Sequence, residues 1–336
     1  MDIQALIKTA QSLVDSGKGI LAADESSPTI KKRFDTIGVE STEENRRNYR
    51  ELLFRTQGIS EYISGVILYD ETIRQQASNG APIVEILVNQ GIIPGIKVDL
   101  GGKDLAGFPG EKITEGLDGL RERLFEYKSL GARFTKWRSI INIGQTTPSK
   151  YCILANAHGL SRFAALSQEA GLVPIVEPEI LMDGTHSAQT CYEVTEETLR
   201  EVFYQLNLQR VALEGMLLKP NMVLSGKSAL SRVGPEEVAR LTISCFKKVI
   251  QPAVPGIVFL SGGQSDDEAT MNLDAINKVA AKATTPWQLS FSYGRGLQTA
   301  PLKTWHGQMD KVSDAQETFY QRARMASEAR QGRYSS

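Results

Sequence analysis

Short apolar runs rich in β-branched residues recur along the chain. Each is followed by a Gly-, Pro- or polar-rich loop and then by a stretch of helical character. The runs are Gly19–Ala23, Ser64–Leu68, Pro94–Val98, Ala132–Trp137, Val173–Val176, Gly215–Lys219, Gly256–Leu260 and Trp287–Phe291. Each predicts a strand. Between them, Thr42-Glu43-Glu44-Asn45 and Thr195-Glu196-Glu197-Thr198 have the Thr-then-acid order of a helix start, leading on to Phe54 and Leu206. Eight strands alternating with helices is the count of a (β/α)8 TIM barrel, an α/β fold. A doubly wound sheet would want a Gly-rich phosphate fingerprint after its first strand, and Leu21–Ser26 has none. The expected organisation is one barrel domain over 1–325, including an N-terminal helix, followed by a short polar segment over 326–336.

A chain of 336 residues suits one such barrel. With 41% hydrophobic and 23% charged residues, bulk disorder is excluded. Lys and Arg number 38 against 39 Asp and Glu, a balance that argues against a general nucleic-acid binder. Cys152, Cys191 and Cys245 are too few and too widely spaced for a disulfide framework or a metal clip, which favours a reducing compartment. His158, His186 and His306 form no i,i+4 pair, so no metal site is expected. No apolar run approaches the roughly 18 residues of a membrane span, and Met1–Gly17 lacks the charged-then-apolar order of a secretory signal. A soluble, cytoplasmic protein is expected, with no membrane and no nucleic acid among its partners.

In a barrel the residues that end the strands converge on one mouth, where the chemistry sits. Here they are Asp24; Tyr69 and Asp70; Lys97 and Asp99; Lys136 and Arg138; Glu177 and Glu179; Lys219 and Asn221; Ser261-Gly262-Gly263; and Ser292-Tyr293-Gly294-Arg295. Any one could be a solvated loop charge, and Asp70 and Asp99 could be helix caps. Eight in phase is not the pattern of a solvated surface.

Lys97, Lys136 and Lys219 lie within or directly after apolar runs. Burying an ammonium is costly, so such a lysine either snorkels to the rim or serves chemistry. A free lysine has a pKa near about 10.4; lowering it by about three units costs roughly 4 kcal/mol and yields a usable nucleophile. Apolar walls and a second cation achieve this, and three lysines with Arg138 on one mouth supply that cation. The reaction implied is Schiff-base formation with a carbonyl substrate. Glu177-Pro178-Glu179 puts two carboxylates on one face of a strand, suited to donate and accept protons, and Asp24 adds a third. The same acids also balance the lysines.

The loops after the last two strands, Ser261–Ser265 and Ser292–Arg295, fall where barrels often bind phosphate. Glycine N–H groups can approach an anion there, and Arg295 offers a bidentate fork. Ser26, Thr29, Lys32 and Arg33 form a second anion-binding cluster, expected on the far side of the mouth. These arguments alone describe an enzyme that forms an imine with a phosphorylated carbonyl compound.

Seven motifs, in order, resemble class I fructose-bisphosphate aldolase: Gly19–Ser26, Gly95–Asp99, Lys136–Arg138, Val176–Leu181, Leu217–Val223, Phe259–Ser265 and Phe291–Arg295. The resemblance runs from about residue 5 to about residue 334. It implies reversible, metal-independent and cofactor-free cleavage of fructose 1,6-bisphosphate to dihydroxyacetone phosphate and glyceraldehyde 3-phosphate, in glycolysis and gluconeogenesis. It implies Lys219 as the Schiff-base lysine and Glu177 as the acid/base group, with Glu179 beside it. Asp24 takes the hydroxyl proton as the carbon–carbon bond breaks. Lys136 assists carbinolamine chemistry and favours the free amine of Lys219, and Arg138 supports the site electrostatically. One phosphate site matches Ser261, Gly262, Gly263, Ser292, Gly294 and Arg295; the other matches Ser26, Thr29, Arg33, Arg46 and Lys97. A homotetramer is also implied.

Two departures stand out. Animal and plant members carry a flexible C-terminal tail ending in tyrosine; this sequence ends Gly332-Arg333-Tyr334-Ser335-Ser336, near where that tail would begin. Leu100 stands where the family more often has lysine. The first keeps open a related imine aldolase preferring sedoheptulose 1,7-bisphosphate or fructose 1-phosphate. The cationic mouth keeps open a scaffolding protein that holds acidic partners at its anion sites.

Overall fold

A computed structural model describes residues 2–335. Among them are ten strands: β1 (Gly19–Ala23), β2 (Ile63–Leu68), β3 (Ile93–Lys97), β4 (Gly102–Asp104), β5 (Lys112–Thr114), β6 (Phe134–Ile141), β7 (Val173–Ile180), β8 (Leu217–Leu218), β9 (Gly256–Phe259) and β10 (Gln288–Tyr293). Eight close into a parallel barrel in the order β1-β2-β3-β6-β7-β8-β9-β10, and β10 pairs back onto β1. Every expected strand is in that ring. The hairpin of β4 and β5, inserted between β3 and β6, was not among the expectations.

The strands read as continuous apolar runs because helices cover their outer faces while side chains fill the interior. Ile20, Ala22, Ile67, Phe134, Ile175, Leu217 and Val258 form one buried cluster with Leu6, Leu13 and Val14, so the helix Ile3–Leu13 plugs the N-terminal end of the barrel. Gly95 is required there: a Cβ on it would run into the Phe134 ring.

Thr42 caps the helix Glu43–Phe54 as expected, accepting from Asn45 N at 3.1 Å. The other expected start is displaced. The helix spans Ala188–Leu208 and is capped by Ser187, which leaves Thr195 buried in its interior. The expected domain limit after 325 also falls inside an element. The helix Val312–Arg330 runs through it, with Ala326, Ala329 and Arg330 buried. Arg330 donates to the carbonyls of Val14, Asp15 and Lys18, tying this helix to the plugged end of the barrel. Burial pushes its pKa down to about 10. Among the described residues, no helix is long and apolar enough to cross a membrane.

Candidate active site

The C-terminal ends of the barrel strands enclose a cavity of about 620 Å³. Of the expected site residues it is lined by Asp24, Ser26, Thr29, Arg33, Lys97, Lys136, Arg138, Glu177, Glu179, Lys219, Ser261, Gly262, Ser292, Gly294 and Arg295. Gly263 adjoins the cavity without lining it.

Strand register explains the centre. β6 and β7 align Arg138 with Glu177 and Ile140 with Glu179, so the period of two sends Lys136, Arg138, Glu177 and Glu179 into one space. β8 ends at Leu218, but Lys219 N donates to Val176 O at 2.8 Å and carries the ladder one residue further. The Glu177 carboxylate then lies between two lysines, with Oε2 3.3 Å from Lys136 Nζ and Oε1 3.4 Å from Lys219 Nζ. Lys136 Nζ is also 2.6 Å from Asp24 Oδ2. Lys136 is 3% exposed and Lys219 4%, so neither snorkels to the rim. Arg138 Nε pairs with Glu179, and Lys97 Nζ lies 3.0 Å from Asp99 Oδ1.

The charge states follow from this geometry. Burial would raise the Asp24 pKa, but the Lys136 and then the Lys219 cation outweigh it and hold the carboxyl below the usual range. Burial would lower the Lys136 pKa, but Asp24 and Glu177 outweigh it and hold the ammonium above its usual range. Arg138 is held up in the same way, by Glu179 and Glu177 against burial. At neutral pH the centre therefore keeps an aspartate, an ammonium and a guanidinium in place around Glu177 and Lys219.

At one side of the cavity, Gly262 and Gly263 adopt positive φ, 51° and 90°. Beside them, because β10 pairs with β9, the helix Arg295–Trp305 begins with Gly294 as an N-cap that makes no side-chain cap bond. Its first N–H groups are left free for an anion. The buried Ser292 Oγ has no partner among the described residues, and Arg295 is exposed. The arrangement can hold a phosphate.

The second cluster is not on the far side of the mouth. Ring closure makes β1 the neighbour of β10, so the segment after β1 adjoins the Gly294–Arg295 loop. A Cβ on Gly294 would sit 3.7 Å from an Arg33 guanidinium nitrogen. Ser26 Oγ and Thr29 Oγ1 are 3.0 Å apart at the rim, and Arg33 pairs with Glu25. Arg46 is not brought into the cavity: its guanidinium is committed to Glu71, at 2.5 Å, and to the Ser41 carbonyl. Asp70 likewise lies outside, starting the helix Asp70–Arg74 and pairing with Arg74.

Lys303, Thr299 and Leu302 line the cavity and were not foreseen. With Arg295 they fall at i, i+4, i+7 and i+8, one face of the helix, and that spacing was the available signal. Gln298 also lines it, donating to Ala22 O at 2.7 Å and to Glu25 Oε1 at 2.8 Å.

The chain matches the family model for class-I fructose-bisphosphate aldolase over residues 5–336. It is 55% identical over 325 residues to a probable fructose-bisphosphate aldolase class 1 of Xanthomonas campestris pv. campestris, covering 96% of both chains. It is 52% identical to the cytosolic fructose-bisphosphate aldolase 5 of Arabidopsis thaliana, covering 98% of this chain and 91% of that one. Among solved structures it is similar to the fructose-bisphosphate aldolase of Plasmodium falciparum, determined in complex with TRAP and a small-molecule inhibitor. The TM-score is 0.97 and the identity 49%, over 99% of this chain and 96% of that one.

Proposed function

The chain belongs to the class I fructose-bisphosphate aldolase family, and on that premise we propose a role for each residue of its mouth. The protein is an aldehyde-lyase of glycolysis: it reversibly cleaves fructose 1,6-bisphosphate to dihydroxyacetone phosphate and glyceraldehyde 3-phosphate through a lysine Schiff base.

In our reading Lys219 supplies the amine that attacks the ketose carbonyl. Glu177 takes the proton shed by the Lys219 nitrogen and returns it to the carbinolamine hydroxyl, which leaves as water, and the imine forms. Asp24 accepts the proton of the hydroxyl on the fourth carbon as the bond between the third and fourth carbons breaks. The imine takes up the electron pair as an enamine, and the aldehyde departs. Protonation of the enamine and hydrolysis then release dihydroxyacetone phosphate and restore the Lys219 amine. Lys136 stays cationic between Asp24 and Glu177 and steadies the charges that develop there. Arg138, held by Glu179, adds a second fixed positive charge. Ser261, Gly262, Gly263, Ser292, Gly294 and Arg295 take one phosphate; Ser26, Thr29, Arg33 and Lys97 take the other. The protein works as a cytoplasmic homotetramer, in keeping with its family.

The observation that carries this reading is the single Glu177 carboxylate set between the amines of Lys136 and Lys219. Borohydride trapping tests it. Incubation with fructose 1,6-bisphosphate or dihydroxyacetone phosphate, then reduction and peptide mass spectrometry, is expected to yield one adduct on Lys219. An adduct on another lysine would remove Lys219 from the role. Chelator treatment is expected to leave turnover unchanged.

A further inference from the structure

β3 ends at Lys97, whereas its neighbour β6 continues to Ile141. The backbone of Arg138 thus passes the point where strand pairing on that side stops. Two side chains take over. Arg138 N donates to Asp99 Oδ2 at 3.3 Å, and Thr114 Oγ1 donates to Arg138 O at 2.8 Å. The other Asp99 oxygen is paired with Lys97 Nζ at 3.0 Å and accepts from Gly101 N at 3.1 Å. Lys97 Nζ donates as well to the Asp99 carbonyl, at 3.0 Å. One carboxylate, 6% exposed, therefore joins a cation of β3, the main chain of β6 and the root of the β4–β5 hairpin. Gly101 and Gly102, at that root, form part of the cavity wall.

We infer that Asp99 is a positioning residue for the bisphosphate reaction. It holds the Lys97 ammonium at the mouth for the second phosphate, and it holds the Arg138 main chain where β3 no longer supports it. The inference rests on the assignment of Lys97 to that phosphate. Two effects of the carboxylate oppose each other. As a counter-charge it weakens the attraction of Lys97 for an anion; as an anchor it stops a flexible side chain from spending its time elsewhere. The three carboxylate contacts, to Lys97, Gly101 and Arg138, favour the anchor.

The test compares kcat/KM for fructose 1,6-bisphosphate with that for fructose 1-phosphate in Asp99→Asn, Lys97→Met and the double variant. The ratio isolates the second phosphate, because losses through Arg138 fall on both substrates. Asp99→Asn is expected to lower the ratio about tenfold, the worth of one charge-assisted hydrogen bond. The double variant is expected to fall no lower than Lys97→Met alone. A raised ratio in Asp99→Asn would make Asp99 only a counter-charge and overturn the inference. An unchanged ratio there, with a lowered one in Lys97→Met, would overturn it too. An unchanged ratio in Lys97→Met would instead overturn the phosphate assignment, and the inference with it. Should Asp99→Asn fail to fold, Asp99→Glu keeps the charge and moves it by one methylene. Positioning then predicts a lowered ratio, whereas a counter-charge alone predicts none.

Discussion

Asp24 Oδ2 lies 2.6 Å from Lys136 Nζ, and the two side chains are 13% and 4% exposed. The pairing holds the Asp24 pKa below that of an unfolded aspartate, near about 3.9. Its contribution to stability is therefore complete above that value and is lost as pH falls through the lower, folded value. Lys136 is shifted upward, so its share is complete below about 10.4 and is lost only as pH rises through a still higher value. Urea unfolding of wild type and Asp24→Asn from pH 7 to pH 3 is expected to show a gap that is constant near neutrality and narrows in acid. A gap that does not change with pH would mean that the pair adds no charge-dependent stability. The same variant is expected to lose about 10²- to 10⁴-fold in kcat through loss of the base.

Glu177→Gln keeps the shape between Lys136 and Lys219 but removes the carboxylate that relays the proton. Turnover is expected to fall by about 10²-fold or more, and the borohydride adduct on Lys219 to form more slowly. Fast adduct formation with slow turnover would shift the proton work of imine formation to another group.

Arg295 and Arg46 separate what structure and sequence say about the anion sites. Arg295 is exposed and lines the cavity, so Arg295→Ala is expected to raise KM about tenfold or more while stability changes by about 0.5 kcal/mol or less. Arg46 is tied to Glu71 outside the cavity, so Arg46→Ala is expected to lower stability and leave KM nearly unchanged. Steady-state kinetics and thermal melts of both variants check the contrast.

Arg330 meets three main-chain carbonyls and Gln288 Oε1 at 3.3 Å beneath the barrel. Arg330→Ala is expected to cost about 1–3 kcal/mol, because the Val14 carbonyl loses its donor while Asp15 O and Lys18 O keep those from Lys18 N and Ser290 Oγ, with KM unaffected. Denaturant unfolding measures the first and kinetics the second.

Much of this arrangement was readable in the residue order. The strands were legible because burial on both faces makes them continuous apolar runs, and a lysine or glutamate at the end of such a run announces a mouth. Even β8, reduced to Leu217 and Leu218, carried the signal through Met216 and Lys219. Contacts between distant segments were not legible. Nothing near Arg46 in sequence says that Glu71 will claim it, and nothing in Arg330 says that it will be buried. In the β4–β5 hairpin β4 is exposed throughout and each strand has only three residues, too few for an apolar alternation to show. The anion cluster after β1 was placed across the mouth because a linear order of strands has two ends and a ring has none.

That ring has a consequence for how the protein is made. Leu21 is paired with Tyr293, so strands translated early and late share one set of hydrogen bonds. On the ribosome, Asp24, Lys136, Glu177 and Lys219 all emerge before the segment that supplies Ser292, Gly294 and Arg295. Until β10 appears, the growing chain presents an unpaired strand edge and a half-walled, charged trough. Catalytic competence cannot accumulate gradually during synthesis; it arrives with the last strand, and the Arg330 contacts then fasten the seam from beneath.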